Sequence, residues 1–246
     1  PRELKNDQNY LIANRIKSAM ASMFGERIRE ILQKENVPFI NAAFGYTDFS
    51  ISKTKEAYTG TVTCEENKYE QGIKALYREI LRAQKHGFTA AEFERFKSKY
   101  ISQLERMYLH RDKTSSGSYV EECIRNFIDN EPMPGIEWEH ENMNKIIPML
   151  NVSMVNQFIA QMPQNNLVIT MWATDKEENI LPSKEDILRF MKEVEKEDIE
   201  PIKEEDNNKP LIENMPAGGK VKSIKSDKYG AKLITLSNGI KVHVKK

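Results

Sequence analysis

The chain's candidates for metal or nucleophilic chemistry are few: His86, His110, His140, His243, Cys64 and Cys123. No two of the histidines fall at a metal-ligand spacing, and the cysteines are far apart in sequence. Glu139-His140 comes nearest to a usable arrangement. A helical His-x-x-Glu-His would set two imidazoles and a general base on one face, able to hold Zn²⁺ and activate water. In Ile136-Glu137-Trp138-Glu139-His140 the first imidazole position is Ile136, so this reads as a polar helix edge around a buried Trp138. Arg111-Asp112-Lys113 reads as a solvated helix terminus with local ion pairs. Ser115-Ser116-Gly117-Ser118 could imitate a phosphate cradle but lacks the Lys-Ser/Thr that follows one, so helix capping is its reading. His110 has Ser and Asp nearby, yet nothing in sequence forces a triad geometry. No nucleotide-binding fingerprint occurs. Spacing therefore assigns this chain no catalytic, cofactor-binding or metal-binding residue.

The elements that would position any site must fit within 246 residues and 28.5 kDa, enough for one large or two modest domains. With 39% hydrophobic and 30% charged residues and a mean hydropathy of -0.64, the composition is that of a soluble globular chain without a membrane span. Lys+Arg 37 balances Asp+Glu 37, which argues against a nucleic-acid partner. Two cysteines exclude a disulfide framework or multi-Cys zinc module; two half-buried thiols are expected, with a single Cys64–Cys123 bridge as the alternative. Pro1-Arg2-Glu3-Leu4-Lys5 has neither the apolar core nor the cleavage site of a signal peptide. The alternating run Ile240–Val244 stops just before Lys246, so a piece of something longer is the expectation.

Apolar spacings of three and four predict a long helix from about Asn6 to Glu35, with Leu11, Ile12, Ile16, Met20, Met23, Phe24 and Ile28 inward. Two strands are predicted at Phe39–Tyr46 and Ala57–Cys64, antiparallel about the turn Thr47-Asp48-Phe49-Ser50. A helix over Lys68–Lys85 ends at Gly87. Thr89-Ala90-Ala91-Glu92 is a capping box, with Phe88 and Phe93 as hydrophobic staple, opening a helix to about His110. Further helices are predicted at Ser115–Asp129, burying Tyr119, Val120, Cys123, Ile124 and Phe127, at Trp138–Ile147, and after Asn151 and Ser183. Leu167–Trp172 reads as a short central strand. From Glu195 to Lys228 charges, Pro201, Pro210, Pro216 and Gly218-Gly219 predict a linker. Asn238-Gly239 between strand-like runs predicts a hairpin, since both residues tolerate positive φ.

Several strings resemble the M16 (insulinase/pitrilysin-type) zinc metallopeptidases. They include Ile28-Arg29-Glu30-Ile31 leading to Pro38-Phe39-Ile40-Asn41-Ala42, and Gly72-Ile73-Lys74-Ala75-Leu76. His86-Gly87-Phe88-Thr89-Ala90-Ala91-Glu92-Phe93-Glu94-Arg95, Arg111 to Tyr119, and Leu236-Ser237-Asn238-Gly239-Ile240-Lys241-Val242 complete the set. The resemblance implies an α/β (α+β) fold: an antiparallel sheet with helices packed mainly on one face. It divides the chain into an M16-like domain over 1–182 lacking its opening strand, a helix and charged linker over 183–229, and the first hairpin of a following domain over 230–246. The zinc-binding motif and its zinc would then lie upstream, in an N-terminal domain outside this chain. Some M16 members supply an Arg and a Tyr to the substrate from a late domain. Aligning that pattern places Leu32 at the Arg and Phe39 at the Tyr, and neither can donate to a carbonyl.

The implied function is a noncatalytic substrate-chamber segment of a zinc-dependent, peptide-cleaving endopeptidase, inactive alone. Its implied partners are the other M16 domains of the parent chain and, within the parent, a peptide substrate, with no nucleic acid and no membrane. The implied compartment is bacterial-type cytoplasm or periplasm. The alternative is a noncatalytic M16 homologue serving as an assembly or peptide-binding scaffold, like the core subunits of the respiratory bc1 complex. An unrelated α/β binding domain would be favoured if the first helix and the two strands after it did not share a layer. Lys232–Val244 is further expected to fill the sheet edge left by the missing strand, in its own molecule or a neighbour's.

Overall fold

A computed structural model describes residues 8–49, 55–163, 167–176, 179–203, 212, 214 and 218–245. The chain divides into two units, Pro1–Glu204 and Glu205–Lys246. The fold is α+β. The first unit runs α1 (Gln8–Leu32), β1 (Asn41–Asp48), β2 (Glu56–Thr63), α2 (Tyr69–His86), α3 (Ala90–Leu109), α4 (Ser116–Asp129), α5 (Gly135–Ile146), α6 (Val152–Ala160) and α7 (Lys184–Glu195). The second carries β3 (Val221–Ser226), β4 (Lys232–Leu236) and β5 (Lys241–Val244).

The long apolar stripe does what its spacing predicts: Ala19, Met20, Met23, Phe24 and Ile28 are buried where α1 lies on β1. β1 and β2 pair antiparallel, with Phe44 opposite Gly60 and Tyr46 opposite Tyr58. Ala42 and Phe44 turn into the core, and Phe24 meets Phe44 at 5.0 Å between ring centroids. Asn41, Ala43, Thr59, Thr61 and Thr63 face out. Strand period two thus gives one helix-covered face and one small, polar face. α2 closes on the sheet at Gly72, where a Cβ would overlap the Cys64 sulfur. α6 is tied to β2 by the Tyr58 hydroxyl, which donates to Phe158 O at 2.8 Å. Burial pushes the Tyr58 phenol up to about 12, aided by the neighbouring Tyr46.

Three readings need correction. Leu167–Trp172 joins no sheet among the described residues and is not central: Val168 is 79% and Trp172 88% exposed. α4 forms, but it buries none of its residues, and Cys123 is exposed while Cys64 is half-buried. Val221–Ser226, read as linker, is a strand, with a bulge between Val221 and Ser223 that breaks the alternation. Of the other linker residues, 204–211 (with Pro210), 213 and 215–217 (with Pro216) lie outside the described residues. So do Asn6 and Ser50 of the expected first helix and turn.

In the second unit β3, β4 and β5 form one antiparallel sheet, so among the described residues Lys232–Val244 pairs within this sheet, a correction to its expected place at the edge left by a missing strand. The hairpin forms around Ser237-Asn238-Gly239, closed by Leu236 N to Ile240 O at 2.8 Å. Only Gly239 takes positive φ (87°). The loop therefore has three residues, with glycine alone in the left-handed position, rather than a two-residue turn using both.

Candidate functional site

The α2–α3 corner gathers more long-range polar contacts than any sequence string foretells. Gly87, with φ +71, ends α2, and its N–H donates to Ala83 O. Thr89 and Glu92 form the expected capping box: Glu92 N donates to Thr89 Oγ1 at 3.2 Å, and Thr89 N to Glu92 Oε2 at 2.7 Å. Glu92 has a second task. Arg27, from the apolar face of α1, forks onto both its oxygens at 2.6 and 2.9 Å, donates to Gly87 O at 2.8 Å, and lies 4.4 Å over the Phe88 ring. Arg27 and Glu92 are 3% and 5% exposed, so each carries the other's charge out of water. The Asn156 amide of α6 brackets Phe88, accepting from its N–H at 2.7 Å and donating to its O at 3.0 Å. Sequence reasoning found the box and missed Arg27, whose one signal is a charge set inside an apolar stripe.

The α3–α5 surface collects the residues weighed for catalysis and sends them to different partners. His140 Nε2 sits 2.6 Å from Glu105 Oε2, and its ring stacks on Tyr108 at 4.1 Å. Glu139 turns elsewhere. Burial raises its carboxyl above the ordinary range, with Arg15 opposing and Glu122 adding to the rise. The Arg15 guanidinium lies 5.2 Å from the Tyr100 ring centroid. Ile136 and Trp138 pack against the core. Arg111 donates to Tyr108 O at 2.8 Å and pairs with Glu137 at 3.3 Å, a stapled helix end. Ser115 stands at the α4 N-cap, yet its hydroxyl meets Ser118 Oγ at 3.1 Å and caps no backbone N–H.

His86 Nε2 lies 2.6 Å from Ile199 O, His110 closes α3, and His243 is exposed on β5. Burial pushes the Cys64 thiol up, away from nucleophilic use. Among the described residues no three His, Cys, Asp or Glu side chains converge to hold a metal ion. At the motif-like string, His140 pairs with Glu105 and Ile136 occupies the place of a second imidazole.

No protein-family model matches the chain. A curated relative from Arabidopsis thaliana, "Zinc protease PQQL-like", is 25% identical over 165 residues, 66% of this chain and 17% of its own length. The crystal structure of the periplasmic protease PqqL from Escherichia coli superposes with a TM-score of 0.66 at 17% identity, over 100% of this chain and 27% of PqqL. An insulinase family protease from Yersinia pestis gives 0.61 at 11% identity, over 79% of this chain and 41% of that one. Part of this chain is thus similar to an M16 peptidase-like domain. The chain spans less than half the length of each of these relatives.

Within the first unit, the string His86–Arg95 is the corner just described, and its conspicuous charge, Glu92, is consumed by packing. Leu32 packs half-buried against the core and Phe39 is 4% exposed, so both aligned positions serve the apolar interior. Beside them a groove of about 560 Å³ is lined by Glu35, Pro38, Glu65, Gln71 and Arg78. The groove's basic groups are already paired. Lys74 meets Glu70 and Glu193 at 2.5 Å each, Arg78 meets Glu197 at 2.5 Å, and Lys68 meets Glu65 at 2.5 Å. The hydrogen bonds from Lys74 and Arg78 pull the Glu193 and Glu197 carboxyls below the usual range. This is a neutralised surface: among the described residues lining it, each basic group already has a carboxylate.

Proposed function

We propose that this chain is a noncatalytic wall segment of a longer M16-type zinc endopeptidase, helping to enclose the peptides that the parent cleaves. The observation that carries the reading is the outer face of α4, where Tyr119, Val120, Ile124, Phe127 and Ile128 are 51%, 53%, 43%, 91% and 56% exposed. Such a contiguous apolar face marks an interaction site. The occupant that fits is the remainder of the parent polypeptide, since PqqL carries nearly three quarters of its length beyond the part this chain matches. The motif-like charges support the same reading, because Arg27 and Glu92 are spent on packing. Zinc, the water it activates and the general base are assigned to residues of the parent outside it.

The parent is expected to act on peptides or unfolded proteins in the periplasm, the compartment of PqqL. Among the described residues no helix is long and apolar enough to cross a membrane. The test compares the full-length parent with residues 1–246 in peptide hydrolysis, chelator sensitivity and zinc content. Chelator-sensitive hydrolysis by the parent and none by residues 1–246 is expected. Stoichiometric zinc and hydrolysis in residues 1–246 alone would overturn the reading. A parent without an intact His-x-x-Glu-His would make the assembly scaffold the correct alternative.

A further inference from the structure

The run Leu167-Val168-Ile169-Thr170-Met171-Trp172 has the composition of a strand and, among the described residues, has no strand partner. Leu167 and Ile169 are 62% and 45% exposed and Met171 is half-buried, whereas Val168 and Trp172 reach 79% and 88%. That alternation is period two, the signature of an extended backbone with one side toward the molecule. Both ends of the run are anchored. Before it, Met162 O accepts from Gln84 Nε2 at 3.2 Å, near the end of α2. After it, Lys176 pairs with Glu66 at 2.8 Å and Tyr69 OH donates to Asn179 Oδ1 at 3.4 Å, at the start of α2. The run therefore travels the length of α2 against the helix direction. It shares the direction of β2, which leads from Tyr58 beside Phe158 toward Glu66. Among the described residues no backbone hydrogen bond joins Leu167–Trp172 to another segment.

We propose that Leu167–Trp172 is an acceptor strand, completed by an extended segment of the same longer polypeptide lying outside residues 1–246. The proposal rests on the reading of this chain as part of a longer M16-type polypeptide. The chemistry selects a strand: a helix satisfies its own amides and could not pair with a row of free N–H and C=O groups. It also selects a covalently linked partner. Six uncharged residues without proline form an aggregation-prone edge, which native chains keep covered. The match to PqqL over 100% of this chain and 27% of that one leaves ample polypeptide to supply the cover.

Hydrogen exchange read by mass spectrometry, on residues 1–246 and on the full-length parent, tests this, with Cys123 alkylation measured in parallel. The expected result is exchange of the 167–172 amides about a hundredfold slower in the parent than in residues 1–246. Unchanged exchange in the parent with Cys123 shielded there would overturn the acceptor strand and leave the wall reading standing. Unchanged exchange with Cys123 still reactive would overturn both. Slow exchange already present in residues 1–246 would also sink the proposal. If it rises with concentration, the slot belongs to a second copy; if it does not, the partner lies within this chain.

Discussion

α2 and α4 are both strongly amphipathic helices in the same unit, and they meet opposite fates. α2 buries Gly72, Ala75, Leu76, Leu81 and Ala83, and its edge is stitched to α7 and the residues after it. Lys74 reaches Glu193, Tyr77 donates to Glu195 at 2.9 Å, Arg78 forks onto Glu197, and Arg82 donates to Glu200 O at 3.0 Å. Leu81, Val194 and Ile199 close a small apolar cluster beneath these bonds. α4 carries an equally apolar stripe, yet buries nothing. The stripe states that a face needs cover. It does not say whether the cover comes from the same 246 residues.

The largest effect should come from the covered side. Glu92→Ala leaves Arg27 charged and buried, and is expected to destabilise the first unit by about 3–5 kcal/mol in urea unfolding. A loss under 1 kcal/mol would mean that the α2–α3 corner is wetter than its 3% and 5% exposures indicate. Leu81→Ala comes next, at about 2–4 kcal/mol, with the loss appearing as faster proteolysis of α7 before global unfolding. If α7 stays protected, it is held by its ion pairs rather than by the apolar cluster.

Acid gives a smaller test of those ion pairs. The Glu193 and Glu197 carboxyls are depressed in the folded chain, chiefly by hydrogen bonds from Lys74 and Arg78. A depressed carboxylate contributes stability that is present above its unfolded value of 4.5 and lost as pH falls through its folded value. α7 should therefore loosen from α2 below about pH 4.5, as a transition distinct from any at α4. Limited proteolysis across pH 3–6 would reveal it, and simultaneous loss of both helices would erase the contrast.

What was legible in the sequence was local. The Thr89 box with its Phe88–Phe93 staple, the Asn151 and Ser183 caps, the Gly87 stop and the α1 stripe each depend on residues within a few positions. What was hidden depended on distance or irregularity. Arg27 and Glu92 are 65 residues apart, and no periodicity links them. β3 places Val221 and Ile224 three apart because the bulge absorbs one residue, so strand alternation vanishes from the string. Leu167–Trp172 and α4 look buried in sequence because composition records a demand for cover, while exposure records whether this chain meets it. The weighed site residues follow the same division. The missing imidazole at Ile136 was readable, but the pairing of His140 with Glu105, from α3, was not.

Phe127→Ala should have the smallest effect and is the sharpest test of the comparison. At 91% exposure its ring already lies in water, so truncation removes almost no buried area. In residues 1–246 the expected change is within about 0.5 kcal/mol, against the 3–5 kcal/mol typical of a buried phenylalanine. Loss of the ring also shrinks the apolar face, so self-association should fall even as stability holds. In the parent polypeptide the same substitution is expected to destabilise, because there the ring has cover to lose. A neutral result in both would leave the α4 face without an occupant, and its difference from α2 would then be one of composition, not of assembly.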